Sequence, residues 1–308
     1  LFLGKKTTSS AAPAAFKPVD EANLKMDRRE NYEADIVRLE RFLKEQPDNR
    51  EVASELYLLL LRYQERFPLA ASADPGIATK IRDLTPRADL TGNLVNVAKT
   101  IRLMAEGKFD EALDLISATA TSGEKDSLVY YLQGRIHLKQ MKWAQAITSF
   151  EQALQLENDD QASRFFLARS YIGQKKFKSA RGVLETLLAA VPNHLGAMAA
   201  MAEVELADKN LDAAVTMAAQ VINTGKSGYD SQEQFTAYIV MADVEGLRGN
   251  DEARMMQLRA ALGAQPKDEA TAITLGKILL TGGKRGEAFA ALRPCKELGN
   301  NSEEFLKL

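Results

Sequence analysis

An alanine recurs along this chain on a fixed beat. Phe109-Asp110-Glu111-Ala112 is followed 34 residues on by Trp143-Ala144-Gln145-Ala146, then at the same interval by Phe177-Lys178-Ser179-Ala180 and Leu211-Asp212-Ala213-Ala214. After a longer gap come Asn250-Asp251-Glu252-Ala253 and, 35 residues later, Arg285-Gly286-Glu287-Ala288. A period of this length marks a stack of supersecondary units, each burying its apolar face only against its neighbours. A chain of this kind is therefore constrained to an elongated array.

The repeating unit reads as helical. The nine prolines are Pro13, Pro18, Pro47, Pro68, Pro75, Pro86, Pro192, Pro266 and Pro294, so none interrupts residues 87–191, and proline is the strongest helix breaker. The same stretch is rich in Ala, Leu, Glu, Lys and Gln, which lose little on entering a helix. Alternation of the strand type is absent, and the fold class expected is all-α.

Four regions are expected. Residues 1–20 hold Thr7-Thr8-Ser9-Ser10-Ala11-Ala12-Pro13 and read as a flexible linker. Residues 21–90 form an N-terminal helical segment with degenerate repeat character. In its first helix Ile36, Leu39, Phe42 and Leu43 share a face. The second holds Leu56-Tyr57-Leu58-Leu59-Leu60-Leu61, too apolar for a one-faced surface helix. Pro68, Pro75 and Pro86 place an elbow at residues 68–90. Residues 91–302 carry about six units and 303–308 a tail. Thr224–Ser231 reads as a lengthened loop between the fourth and fifth units, and Pro294 should kink or shorten the last helix.

The chain resembles the tetratricopeptide repeat family. That motif has a large residue, a leucine, a small residue and an aromatic on its first helix. On the second come alanine, a large residue and another small residue, and a proline closes the unit. Residues 127–160 meet it through Tyr130, Gly134, His137, Ala146, Phe150 and Ala153, with His137 where an aromatic is usual. Residues 161–194 meet it through Leu167, Ala168, Tyr171, Ala180, Leu184 and Pro192, and residues 268–302 through Leu275, Gly276, Ala288 and Leu292. The resemblance implies an α-solenoid of stacked antiparallel helix pairs. It covers about two thirds of the chain and specifies fold, not function. Small residues are needed because two helices approach to about 8–10 Å only where side chains are small. Gly134, Ala168, Ala202, Ala242 and Gly276 serve on the first helices, and Ala146, Ala180, Ala214, Ala253 and Ala288 on the second.

The resemblance also implies that first helices line a concave groove, with inward positions one and five places beyond the residue that Tyr130 represents. There the chain presents Tyr131 and Arg135, then Phe165 and Arg169. Leu128, Leu138, Lys139 and Ile172 lie on the same helical faces. These eight residues are the candidate partner-binding groove. Arg135 and Arg169 are one period apart, so their guanidinium groups are expected to stack. Glu203, Asp243 and Lys277 continue the row, which begins aromatic and basic and turns acidic. Such a surface suits a peptide with large apolar side chains and a carboxylate, which arginine binds bidentately; an Arg169–Glu203 pair that merely supports the stack is the competing reading. The family's carboxylate clamp for chaperone C-termini uses lysines and asparagines on three successive first helices, a pattern this row does not show.

No catalytic motif appears. There is no phosphate loop, dinucleotide fingerprint or His-Glu-x-x-His, and Gly282-Gly283-Lys284 falls at an inter-helix turn. One cysteine (Cys295, read as core) and two histidines leave no disulfide framework and no multi-cysteine metal site. Neither a metal nor a cofactor is expected. The 40 basic and 42 acidic side chains provide no basic excess for nucleic acid. The leading reading is a non-enzymatic scaffold for a protein or peptide partner, within a membrane-associated assembly. The alternative is a docking or regulatory domain of a longer membrane-anchored polypeptide; a carbohydrate-active α-solenoid enzyme is remote. Leu1-Phe2-Leu3 could end an upstream span, tethering the domain at a periplasmic or cytoplasmic membrane face, with a cytoplasmic protein as the alternative.

Overall fold

The computed structural model describes residues 29–67, 71, 74–121, 125–225 and 231–296; among them are fifteen helices and no strand. The linker at 1–20, residues 226–230 of the expected long loop and the tail at 303–308 lie outside the described residues. Helices α1 (Arg29–Glu45) and α2 (Arg50–Arg66) form an N-terminal hairpin, and α3 (Pro75–Leu84) follows. Six further hairpins come next: α4 (Asn93–Ala105) with α5 (Phe109–Thr121), α6 (Ser127–Lys139) with α7 (Trp143–Leu156), and α8 (Gln161–Gly173) with α9 (Phe177–Ala190). Then come α10 (Leu195–Ala207) with α11 (Leu211–Thr224), α12 (Ser231–Leu247) with α13 (Asp251–Ala264), and α14 (Glu269–Thr281) with α15 (Arg285–Lys296). From α4 onward each helix packs on the next, and the first helices also touch from hairpin to hairpin between α4 and α12. The expected stacking in chain order is present.

The beat is written in the backbone. Gly107, Met141, Lys175, Lys209, Gly249 and Gly283 all have φ between 57° and 76°. Each sits in the turn of one hairpin, and the next residue's N–H reaches back to close it, as from Lys142 to the His137 carbonyl (2.8 Å) and from Lys176 to Tyr171 (2.8 Å). This closure satisfies the last carbonyls of the first helix and reverses the chain. Three of the six residues are not glycine, so the turn is imposed partly by packing, against the steric preference of a side chain.

That register corrects one expectation. Ala146, Ala180, Ala214 and Ala288 each stand five places after the left-handed residue, and in the fifth hairpin that place is held by Arg254, with Ala253 one position early. Ala253 is half-buried where its counterparts are buried. Arg254 fits because Gly246 faces it: a Cβ there would lie 3.0 Å from the guanidinium Nε. The interval from Lys209 to Gly249 is 40 residues, and much of the excess lengthens α12 to 17 residues against 13 in α10. Part of the insertion is therefore extra helix.

The small residues allow the close approach expected of them. A Cβ on Gly134 would meet the Phe150 ring at 2.6 Å, and one on Gly173 would meet the Trp143 indole at 2.7 Å. Ala146, Ala168, Ala180, Ala202, Ala214 and Ala242 are fully buried. Cys295 is buried too, and that burial pushes its thiol upward. Helix α15 runs through Pro294 to Lys296. In α2, Leu56, Tyr57, Leu59, Leu60 and Leu61 are all buried, because α1, α3 and α4 surround that helix on several sides.

Candidate partner-binding groove

Aspartates set the start of the groove helices. Asp126 and Asp160 accept hydrogen bonds from the Leu128 and Ala162 N–H groups (2.9 and 3.0 Å), capping α6 and α8. On α10 the same task falls to His194, whose Nδ1 accepts from Ala197 N–H at 3.0 Å while its ring lies 5.2 Å from that of Phe165. These caps fix the helical phase that turns residues 131, 135, 165 and 169 inward.

The concave face is not open at that end. The Glu65 carboxylate, from the last turn of α2, lies 2.7 Å from the Arg135 guanidinium, and both side chains are nearly closed to solvent, at 7% and 6% exposure. The Tyr131 hydroxyl donates to the same carboxylate at 3.1 Å and accepts from Arg135 Nη1 at 2.8 Å. Arg135 is also stacked 3.8 Å over the Phe166 ring, and Arg66 lies 5.1 and 4.9 Å over Phe165 and Phe166. Tyr131, Phe150 and Phe166 complete an aromatic cluster with centroids 6.0–6.2 Å apart.

The eight candidate residues therefore divide. Tyr131, Arg135 and Phe165 are buried, the first two against Glu65 and Phe165 beneath Arg66 and over Gly196. The expected stacking of Arg135 on Arg169 is replaced by two separate ion pairs, because each guanidinium finds its own carboxylate: Glu65 for Arg135 and Glu203 for Arg169. Arg169 keeps 35% of its side chain exposed beside Glu203. Leu128, Leu138 and Ile172 are half-buried and Lys139 is exposed. Lys139 reaches solvent one turn beyond Arg135 on α6. Burial, then the Arg135 charge, lowers its ammonium below the ordinary lysine range, against a raising effect of Glu65. Further along the row Asp243 is exposed, and crowding by protein raises its carboxyl against the pull of Arg254.

A cavity of about 420 Å³ opens between α2 and the groove helices, lined by Leu58 and Leu59 of α2 and by Val97, Leu128, Leu132 and Ala162 opposite. Neither Glu65 nor Arg66 is marked in the sequence; no local pattern ties residue 65 to residue 135. His137 stands half-buried with Nδ1 lacking a hydrogen-bond partner, and burial, then Lys142, lowers its pKa. Among the described residues no cluster of three acidic, histidine or cysteine side chains could hold a metal ion, and no helix is long and apolar enough to cross a membrane.

Stacked helix hairpins, each closed by the same repeated turn, define an α-solenoid. Tetratricopeptide repeat models match residues 101–163 and 137–194. These matches span residues 101–194 and support a tetratricopeptide repeat family for the chain; proteins of this repeat are generally non-enzymatic scaffolds. Among solved structures, the Cut9–Hcn1 hetero-tetramer of the APC/C is similar with a TM-score of 0.70 at 14% identity, over 93% of this chain and 54% of that one. The type IV pilus biogenesis factor PilW has a TM-score of 0.57 at 15% identity, over 71% and 99%, and yeast Tom70 one of 0.54 at 14%, over 99% and 65%. This chain thus spans about half of the Cut9–Hcn1 chain that it matches. At such identities the likeness is one of fold. No curated protein matches the chain.

Proposed function

We propose that the protein is a non-enzymatic scaffold that holds a peptide or partner protein on its concave face, within a membrane-associated assembly. The observation that carries this reading is the row left at the surface beside the α2 contact. Exposed Lys139 and partly exposed Arg169 stand among half-buried Leu138 and Ile172 on adjacent first helices. Cations beside apolar side chains on a curved, rigid face suit a segment with large apolar residues and a carboxylate. One similar structure is an APC/C hetero-tetramer and another a type IV pilus biogenesis factor, and the second is what suggests a membrane-associated setting.

A photo-crosslinking residue at Ile172 should trap a polypeptide in cells, whereas one at Glu185, exposed on the second helix α9, should not. Lys139→Glu together with Arg169→Glu should abolish the Ile172 adduct. Equal adducts at both positions would place the partner elsewhere. Fractionation of cells expressing the full reading frame tests the membrane setting.

A further inference from the structure

We infer that α2 is a built-in ligand of the groove, exchangeable for a partner helix that copies its inner stripe. The inference rests on the groove reading above. Glu55, Leu58, Leu59, Arg62, Glu65 and Arg66 all line the cavity, and their spacing of three and four residues is one face of a helix. This is how an amphipathic helix lies in a groove, with anchors at i, i+3, i+4 and i+7. Its carboxylate, Glu65, already takes the bidentate arginine and the tyrosine hydroxyl that a partner's carboxylate would seek.

Two features make the contact replaceable. The ion pair and the Arg66 ring contacts gather in the last turn of α2, while beside Leu58 and Leu59 the interface opens into the 420 Å³ cavity. The cavity opens to solvent, with Glu55, Arg62 and Asp126 beside Leu58, Leu128 and Leu132, so this part of the α2 stripe is not sealed by the groove helices and burying its apolar lining is a gain still available. The buried pair itself fixes register more than it adds stability, since desolvation offsets much of its attraction. An incoming helix with the same apolar pair, a carboxylate seven residues on and a cation after it could make these contacts and fill the space as well.

The test uses the purified full chain and, as probe, a fluorescein-labelled peptide of residues 49–67. The wild-type chain should bind the peptide weakly, because its groove is occupied. Glu65→Arg, which sets two cations face to face, should lift the inner stripe at the end of α2 off the groove helices and tighten peptide binding by at least about tenfold, since apparent affinity rises with the fraction of open groove. Adding Arg135→Glu to Glu65→Arg restores the pair in reverse and should return binding to the wild-type level. Arg66→Ala, which leaves the ion pair in place, is the milder variant if Glu65→Arg does not fold; it should accelerate amide exchange in residues 50–66 and tighten peptide binding. Unchanged affinity in folded Glu65→Arg and Arg66→Ala chains, or α2 amides exchanging as slowly as those of α8 in both variants, would overturn the inference. The Ile172 crosslink fails independently: peptide binding without any crosslinked partner leaves α2 a ligand of its own groove and removes the external one.

Discussion

Glycine to alanine is the most informative substitution in this array, because the structure assigns it opposite signs at two helical sites. In α9, a Cβ added at Gly182 meets nothing within 4 Å, so alanine there should stabilise by about 0.5–1 kcal/mol through helix propensity and a less disordered unfolded chain. In α6, a Cβ at Gly134 would lie 2.6, 2.7 and 2.8 Å from three carbons of the Phe150 ring. Carbon atoms rest at about 3.5–4.0 Å, so the ring would have to retreat by about 1 Å. Phe150 is fully buried and flanked by Tyr131 and Phe166, so it has nowhere to go without moving α7. Overpacking of this kind costs about 1–3 kcal/mol, and after the propensity gain of about 1 kcal/mol a net loss of up to about 2 kcal/mol remains. Thermal unfolding followed by far-ultraviolet circular dichroism should show Gly182→Ala melting slightly higher than wild type. Gly134→Ala should melt lower, by a few degrees at about 2 °C per kcal/mol for a chain of this size. Phe150→Leu, destabilising alone through its cavity, should erase the extra penalty of Gly134→Ala, a coupling that only direct contact produces. If Gly134→Ala melts as high as Gly182→Ala, the close-approach account of the repeat is wrong.

Three further outcomes follow from the same geometry. Lys175 holds a φ of 60° in its turn, a conformation that costs a side chain about 1–2 kcal/mol and glycine little, so Lys175→Gly should raise the urea midpoint by about 0.5–1 kcal/mol equivalent once glycine's entropy is deducted. His137 is held below its ordinary pKa by burial; its stability contribution is complete above the unfolded value of about 6.5 and declines as pH falls from there towards the folded one. Melting curves at pH 7.5 and 5.5 should therefore separate more for wild type than for His137→Phe. Arg181 binds the Glu205 and Asp208 carboxylates of the next hairpin, the latter at 2.8 Å, and its hydrogen bond lowers Glu205. That contribution is present above about pH 4.3 and fades as pH falls through the lower folded value. Arg181→Ala should thus reduce the melting temperature at pH 7 and make little difference near pH 2.

Much of this was legible in the sequence because the repeat is a local property. The interval between alanines, the helix formers between prolines and the small residues at fixed places all lie within a few turns of one another. The slip at Ala253 shows the limit of matching by residue size. Arg254 takes a small-residue position because Gly246, eight residues earlier, vacates the space. Gly249, aligned with the turn residues Gly107 and Gly283, shows the true register at the one hairpin where the alanine match slips. Which of the candidate groove residues meet solvent was not written in their spacing.

The sequence by itself determined a stack of helix hairpins, since period, propensity and turn chemistry act over short distances and every unit repeats the same instruction. Tertiary structure alone decided what the inner face offers. Glu65 and Arg135 stand 70 residues apart, and nothing near either residue specifies the other. They meet because the stacking of the hairpins brings the last turn of α2 against α6 and α8. There, in a nearly dry setting, a carboxylate and a guanidinium are far better paired than left alone.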